Sequence, residues 1–267
     1  MKKIAVDLLG PGEIVSGNHN FGLGNQLFQI AAALSYANDN DFKAIFPCLR
    51  NKNYYGNYTD NILRKLIISE DIPSDHVKFS NPQPVYKAIP SSDKSILVYG
   101  SYLQSEKYFS NNQNLIRDTF SPSKTDKEYL LKKYPNVSNS VSCHIRRGDY
   151  SKLKDKYFTL TESDYYQNAI KLIGDEPMII FSDDIDWCVE NFKSTSSQIY
   201  FSNEKDYLEI YLMSMCKHNI IANSTFSWWG AWLNKNKDKK VIAPSSWFTP
   251  QQKRKDVDLI PQDWTLI

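Results

Sequence analysis

The sequence has few of the features that mark metal-binding or secreted chains. Its 267 residues include four cysteines, which are far apart and form no C-x-x-C pair. A structural zinc site is therefore not expected. A chain of this length can build a core without disulfides, so we expect reduced and mostly buried cysteines. The four are Cys48, Cys143, Cys188 and Cys216.

Long apolar runs are also absent from the sequence. No stretch reaches the roughly eighteen apolar residues that predict a transmembrane helix, and the run after Met1 is too short for a signal peptide. We therefore expect a cytoplasmic protein without a transmembrane segment, while a peripheral membrane contact stays open. The net charge of +2 gives no basis for nucleic-acid binding. The sequence does not indicate an oligomeric state.

The glycine-rich fingerprints of common nucleotide-binding folds are missing too. The N-terminal loop reads F-G-L-G-N-Q over Phe21–Gln26, which is not G-x-G-x-x-G and lacks the Walker lysine. It lies between a strand predicted at 3–9 and a helix whose apolar residues recur from Leu27 to Leu34. Such a loop can present backbone N–H groups to an anion. A tight strand-to-helix turn is the alternative.

What the sequence does contain is a charged cluster within Val141–Tyr150, which reads V-S-C-H-I-R-R-G-D-Y. A short apolar strand there runs into a turn that carries His144, Arg146, Arg147 and Asp149. Ligands of open α/β sheets bind at the carboxyl ends of strands, and the rigid donor fork of arginine matches phosphate geometry. The cluster therefore predicts a phosphate or carboxylate site. The alternative is a surface salt bridge between Arg147 and Asp149.

Strands and helices alternate regularly after this cluster. Strands are predicted at 141–146, 177–181, 198–201, 220–222 and 241–243, separated by helices at 162–173, 184–192, 204–216 and 226–234. This alternation is typical of βαβ units and a parallel sheet. We therefore predict an α/β protein with an N-terminal domain over 1–138 and a Rossmann-like C-terminal domain over 139–267.

Polar residues follow two further strands of the predicted sheet. Because the carboxyl ends of parallel strands share one edge, these loops should lie beside the arginine cluster. Residues of these types before a helix are also N-caps, and a cap and a phosphate site use the same N–H groups. The residues are Ser182, Asp183 and Asp184 after one strand, and Asn223, Ser224, Thr225 and Ser227 after the other.

Five segments resemble the bacterial-type α-1,2-fucosyltransferases of glycosyltransferase family 11. The first and last are long and specific, whereas H-x-R-R-x-D is shared with α-1,6- and protein O-fucosyltransferases. One departure is a longer loop at 10–20, with Phe21 where the family usually has a glycine. The segments are F-G-L-G-N-Q-L-F-Q-I-A-A-A (21–33), Y-L-Q-S-E-K-Y-F (102–109), H-I-R-R-G-D-Y (144–150), Y-F-T-L with Y-Y-Q-N-A (157–169), and H-N-I-I-A-N-S-T-F-S-W-W-G-A-W-L (218–233).

The resemblance implies a GT-B-like enzyme with two Rossmann-like halves, of which the C-terminal half binds the nucleotide sugar and the N-terminal half the acceptor. It implies inverting transfer of L-fucose from GDP-β-L-fucose to the 2-hydroxyl of a terminal galactose in an O-antigen or other oligosaccharide. The resemblance implies that the enzyme needs no metal. It implies no cofactor either, since GDP-fucose is a substrate. The alternatives are another GDP-sugar transferase, a different-linkage fucosyltransferase, and a glycan- or nucleotide-binding protein without turnover.

The leaving diphosphate sets the first site assignments. A metal-free site must neutralise it with fixed cations and N–H dipoles. Arg146 is the first choice for the β-phosphate, and Arg147 is second or positions the acceptor. Ser224, Thr225 and Ser227, in one block with Asn223, can add hydroxyl and N–H donors. Gly24 and Asn25 lie in the N-terminal loop, and Asn25 resembles an asparagine that lies near the phosphates or the acceptor in the corresponding loops of related enzymes.

Guanine recognition and proton removal complete the assignments. Glu209 resembles the acid that reads the base in related fucosyltransferases, and Asp206 is its neighbour; a solvated helix face is the alternative for Glu209. An inverting transfer benefits from a base that takes the proton of the attacking hydroxyl. Asp149 and His144 are the candidates, and each also has a structural interpretation.

Overall fold

A computed structural model describes residues 1–8, 22–50, 58–68, 71–83, 85–148, 150, 153–191, 198–251 and 257–267. The chain forms two compact units, Met1–Ser121 with Lys255–Pro261, and Pro122–Arg254 with Gln262–Ile267. The division after Ser121 differs from the predicted boundary after 138. Its physical reason is that the helix Lys124–Lys133 belongs with the second unit, where Tyr129 of this helix donates to Glu204 at 3.1 Å.

The first unit contains a four-stranded parallel sheet with the order β2-β1-β4-β3. The strands are β1 (Lys2–Val6), β2 (Phe42–Ile45), β3 (His76–Phe79) and β4 (Ser95–Val98). Helix α1 (Leu23–Asn40) packs on β1 and β2, and a short helix α2 (Gln113–Thr119) follows β4. The strand β3 is a correction, because 47–95 is rich in Asn, Pro, Ser and Tyr and its sequence predicts loops and short helices there.

The second unit contains a six-stranded parallel sheet with the order β10-β9-β8-β5-β6-β7. The strands are β5 (Val141–Ile145), β6 (Met178–Ser182), β7 (Ile199–Phe201), β8 (His218–Ile220), β9 (Val241–Ala243) and β10 (Thr265–Leu266). The helices are α3 (Lys124–Lys133), α4 (Tyr165–Ile173), α5 (Ile185–Asn191), α6 (Asp206–Met215) and α7 (Thr225–Leu233). The predicted α/β architecture with parallel sheets is confirmed.

Central strand β5 anchors the core of this unit. All five of its residues are buried, because strands flank it on both sides and helices cover the sheet. Helices α6 and α7 approach so closely that a Cβ atom at Gly230 would lie 2.6 Å from the Cβ of Met213. Glycine is therefore required at that contact. Four tryptophans pack their rings together beside it, which buries a large apolar area: Trp228, Trp229, Trp232 and Trp264.

The four cysteines take no part in disulfides. All four cysteines are free thiols, and Cys143, Cys188 and Cys216 are buried. Burial raises the pKa of Cys48 to about 12, helped by nearby Asp7. In the part of the chain that the structure describes, no helix has both the length and the apolar character needed to cross a membrane.

Candidate functional site

The ends of β5 and β6 bring two arginines and two aspartates together. The strands pair in parallel and in register, so the residues that follow them leave the sheet side by side. Arg146 Nη1 lies 2.8 Å from Asp183 Oδ2, and Arg147 Nε lies 3.0 Å from Asp184 Oδ2. All four side chains are partly exposed at the carboxyl edge of the sheet, where ligands of open α/β sheets bind.

Arg147 is held on several sides. Its guanidinium carbon lies 3.8 Å from the ring centroid of Trp187, within the range of a cation–π contact. Its backbone N–H donates to Asp183 Oδ1 at 2.9 Å. The Asp183 carboxylate thus contacts both arginines, one through the side chain and one through the backbone. Stacking and the ion pair fix the plane of the guanidinium.

Arg146 lies over an aromatic stack. Its guanidinium carbon is 5.2 Å from the centroid of the Tyr150 ring. The Tyr150 ring stacks on Tyr157 with centroids 4.0 Å apart and an interplanar angle of 12°. The Tyr150 hydroxyl donates to the carbonyl oxygen of Asn223 at 3.1 Å. The stack ties the arginine turn to the loop after β8.

Gly148 is required for this arrangement. A Cβ atom at this position would overlap the carboxylate of Asp183. Any larger residue would therefore push the aspartate away from Arg146. Arg147 pairs with Asp184; the predicted alternative, a pair with Asp149, lies outside the described residues.

His144 is buried beneath the turn, with 4% of its surface exposed. Its Nδ1 lies 2.8 Å from the Ser227 hydroxyl, which donates to the Ser224 carbonyl at 3.3 Å. Burial, with Arg146 nearby, lowers the pKa of His144 to about 3, although Asp183 opposes the shift. The imidazole is therefore neutral at physiological pH and is a poor proton acceptor. The geometry favours a role in holding β5 to α7.

The N-terminus of α7 lies at the same edge, because β8 pairs with β5. Ser224 is the N-cap, and its hydroxyl accepts from the backbone N–H of Phe226 at 3.3 Å. Thr225 begins the helix and is partly buried. Free N–H groups of a first helical turn favour anions. Asn223 instead points into the protein, since its amide donates to the carbonyls of Phe158 and Trp247 at 3.0 and 3.2 Å.

Glu209 lies in the first turn of α6, which follows β7 at the carboxyl edge. Its carboxylate accepts from the Ser202 hydroxyl at 2.8 Å. Burial, with Asp206 and Glu204 nearby, raises the pKa of Glu209 to about 7, and the hydrogen bond from Ser202 opposes the shift. Glu209 is half-buried and hydrogen-bonded to Ser202, whereas a residue on a fully solvated helix face would be exposed. Asp206 is exposed and accepts from the N–H of Tyr207 at 2.8 Å.

Gly24 and Asn25 belong to the first unit, where they form the first turn of α1. The side-chain oxygen of Asn25 accepts from the amide of Gln104 at 2.8 Å. That contact joins the first and second of the segments that resemble the family. The preceding loop at 9–21, including Phe21, lies outside the described residues.

The sequence predicts that the loop with Asp183 and Asp184 lies beside the arginines, but it does not predict the ion pairs between them. The sequence pattern at Asp183 and Asp184 indicates a strand end and a helix start, and no local pattern predicts the contact of Trp187 with Arg147. The signal was present, because Arg-Arg after one strand and Asp-Asp after the next are complementary if the two strands are neighbours in a parallel sheet. Among the described residues, no group of three or more His, Cys, Asp or Glu side chains is placed to hold a metal ion.

Comparison with known proteins gives one family. The model of "Glycosyl transferase family 11" matches residues 15–267. The α-1,2-colitosyltransferase of Escherichia coli is 31% identical over 280 aligned positions, covering 92% of this chain and 96% of that protein. The galactoside 2-α-L-fucosyltransferase of Caenorhabditis elegans is 27% identical, covering 82% of this chain and 68% of that protein.

A shorter match and a solved structure complete the comparison. The O-antigen biosynthesis glycosyltransferase WbnK of Escherichia coli is 42% identical over 127 residues, which cover 44% of this chain and 42% of that protein. The α-1,6-fucosyltransferase NodZ co-crystallised with GDP matches with a TM-score of 0.56 at 12% identity, covering 86% of this chain and 92% of that one. At this identity the likeness concerns the fold, and it supports the GT-B type.

Proposed function

The chain belongs to glycosyltransferase family 11, and from this premise we propose that it transfers L-fucose from GDP-β-L-fucose to the 2-hydroxyl of a terminal galactose in a glycan. The bond from the anomeric carbon to the β-phosphate oxygen breaks, and a bond to the acceptor oxygen forms from the opposite face. The product is an α-1,2 linkage and GDP. The acceptor hydroxyl loses its proton during the transfer.

The observation that carries the proposal is the pair of arginines at the end of β5. GDP leaves with developing negative charge, and stabilising that charge requires preorganised cations and N–H groups. Arg146 and Arg147 are each oriented by an aspartate. The N-terminus of α7 follows β8, the strand that neighbours β5. A guanidinium has five N–H donors, so an ion pair through one of them is compatible with binding phosphate. Arg146 would contact the β-phosphate, and Arg147 the phosphates or the acceptor.

Glu209 is our candidate for reading guanine. An ionised carboxylate accepts from both N1–H and the 2-amino group, and adenine lacks this pair of donors. Its half-buried position in the first turn of α6 suits a carboxylate that loses water when the base binds. We assign no metal and no cofactor to the reaction. Asp149 is the remaining candidate for the general base, and a dissociative transition state would need little help from a base.

A second donor is favoured by one comparison. The relative that covers 92% of this chain is an α-1,2-colitosyltransferase, so colitose is the alternative to fucose. The remaining alternatives are another GDP-sugar, another linkage, and binding without turnover.

One assay separates these functions. GDP release is measured with GDP-fucose and with GDP-colitose, in each case with and without a galactoside, and the product linkage is determined by NMR. We expect galactoside-dependent release with GDP-fucose and a 2-linked α-fucosyl product. Release only with GDP-colitose would assign the alternative donor. Folded protein that binds GDP without releasing it from any donor would refute the enzymatic proposal, with Arg146→Ala as the matched inactive control.

A further inference from the structure

A second concave feature lies in the same unit as the arginines. It is a cavity of about 290 Å³, which we call the edge cavity. One wall is formed by the segment that leads into α4 together with the first turn of that helix, and another by the segment after β9. The lining residues include Phe158, Ser163, Asp164, Asn168, Ser245 and Ser246. We propose that the edge cavity binds an uncharged sugar ring of the acceptor glycan, next to the galactose that is fucosylated. This inference rests on the proposed function.

The side chains in the cavity suit a neutral polyhydroxyl ligand. Phe158 is 37% exposed, so its ring offers an apolar platform for the C–H face of a pyranose. Asp164, Asn168 and the serines provide the hydrogen-bond donors and acceptors that sugar hydroxyls need. All lining residues belong to the described part of the chain, and none of them is Lys, Arg or His. A phosphate or nucleotide would therefore find no cation there.

The position of Asp164 supports a ligand-binding role. This residue is the N-cap of α4, yet its carboxylate makes no capping hydrogen bond. An N-cap aspartate usually accepts from the first N–H groups of its helix. Asp164 is exposed and is one of the residues that line the cavity. The volume is near the low end for small-molecule pockets, which suits one sugar ring.

The cavity is joined to the arginine site by direct contacts. The buried amide of Asn223 donates to the carbonyls of Phe158 and Trp247. Phe158 lines the cavity, and Trp247 follows the lining residue Ser246. The carbonyl of Asn223 accepts from Tyr150, whose ring lies beneath Arg146. Both features therefore belong to one edge of one unit. The proposal therefore places the second sugar ring on the same edge of the sheet as the arginines.

The test compares one-ring and two-ring acceptors. Initial rates are measured with GDP-fucose and either methyl β-galactoside or a galactose-terminated disaccharide, namely lactose, Galβ1-3GlcNAc or Galβ1-3GalNAc. The wild type should prefer at least one disaccharide. Phe158→Ala and Asp164→Asn should each raise KM for that disaccharide about tenfold, with unchanged KM for methyl β-galactoside and unchanged GDP affinity. Lys171→Ala, on an exposed part of α4, is the matched control.

Two outcomes would overturn the edge cavity as a sugar site. One is a wild-type enzyme with equal KM for one and two rings; the other is that Phe158→Ala and Asp164→Asn both keep the wild-type preference. Saturation-transfer NMR of the disaccharides reads binding directly and needs no turnover. Contact of the second ring, lost in Phe158→Ala, would support the site even if fucose transfer failed, whereas no such contact in the folded wild type would refute it. Failure of GDP release with every galactoside would instead count against the proposed function.

Discussion

Replacing Glu209 with glutamine tests the reading of guanine most directly, because the structure predicts both a size and a pH dependence. Burial raises the pKa of this carboxyl group to about 7, so it is largely protonated at pH 6 and largely ionised at pH 8. Guanine requires the ionised form as acceptor. The affinity of the wild type for GDP should therefore fall about tenfold between pH 8 and pH 6, which corresponds to about 1.4 kcal/mol.

The glutamine variant should behave differently in two respects. At pH 8 it lacks the charge that accepts from both guanine donors, so GDP binding should weaken by roughly 1–3 kcal/mol. The chemical step at saturating donor should change much less. The part of the pH dependence that Glu209 causes should also disappear.

Folding stability supplies an independent check of the same pKa. A carboxyl group whose folded-state pKa lies above its unfolded value of 4.5 binds more protons in the folded state over the interval up to pH 7. The wild type should therefore lose stability as pH rises through that interval, by at most about 3 kcal/mol, less the effect of residual solvent exposure. Glu209→Gln should show a flatter profile and be at least as stable as the wild type at pH 8.

Calorimetric titration with GDP at pH 6, 7 and 8 measures the predicted effects on binding. The terminal phosphate of GDP also titrates in this range, so the informative quantity is the difference between wild type and Glu209→Gln at each pH. Asp206→Asn, on the same helical turn, tests the second candidate in parallel and should leave GDP affinity nearly unchanged if Glu209 reads the base. Equal GDP affinities of wild type and Glu209→Gln at pH 8, or identical pH slopes, would remove Glu209 from the nucleotide site and transfer the test to Asp206.

Three further outcomes are expected. Arg146→Ala should lose about 3 kcal/mol of transition-state stabilisation, roughly a hundredfold in initial rate, and Arg146→Lys should recover little because the donor fork is lost; a folded alanine variant with near wild-type turnover would refute the assignment. Activity measured by GDP release should survive EDTA, and complete loss restored by Mg²⁺ or Mn²⁺ would refute a metal-free mechanism. Gly230→Ala should lower the melting temperature by overpacking α7 against Met213, at about 1–3 kcal/mol, and an unchanged thermal transition would show that the contact relaxes freely.

Much of the second unit follows from local sequence patterns. The strands β5, β6, β7 and β9 are mostly apolar and separated by helices, and such runs have few alternatives to a buried parallel sheet. Strand β8 is His218–Ile220 and begins two residues before the predicted strand at 220–222. The short edge strand β3 was missed because its sequence, H-V-K-F, is only partly buried and carries two polar side chains. A strand of this kind is stabilised by its neighbour β4, which no local pattern indicates.

The sequence predicts the arginines of the candidate site but not the ion pairs that orient them. A strand that ends in Arg146 and Arg147 indicates an anion site from the sequence alone. The pairing with Asp183 and Asp184 depends on which strand lies beside β5 and in what register, and that is a property of the whole sheet. The depressed pKa of His144 likewise comes from burial under α7, which converts a candidate base into a buried contact.

The ring of Trp187 beneath Arg147 gives the protein a built-in optical probe. Of the six tryptophans, Trp228, Trp229, Trp232, Trp247 and Trp264 are at most 6% exposed, whereas Trp187 is only partly buried and touches a guanidinium. A polar quencher such as acrylamide would therefore reach one fluorophore in preference to the other five. Emission from that fluorophore reports the position of Arg147, so occupancy of the arginine turn could be followed in real time without any label.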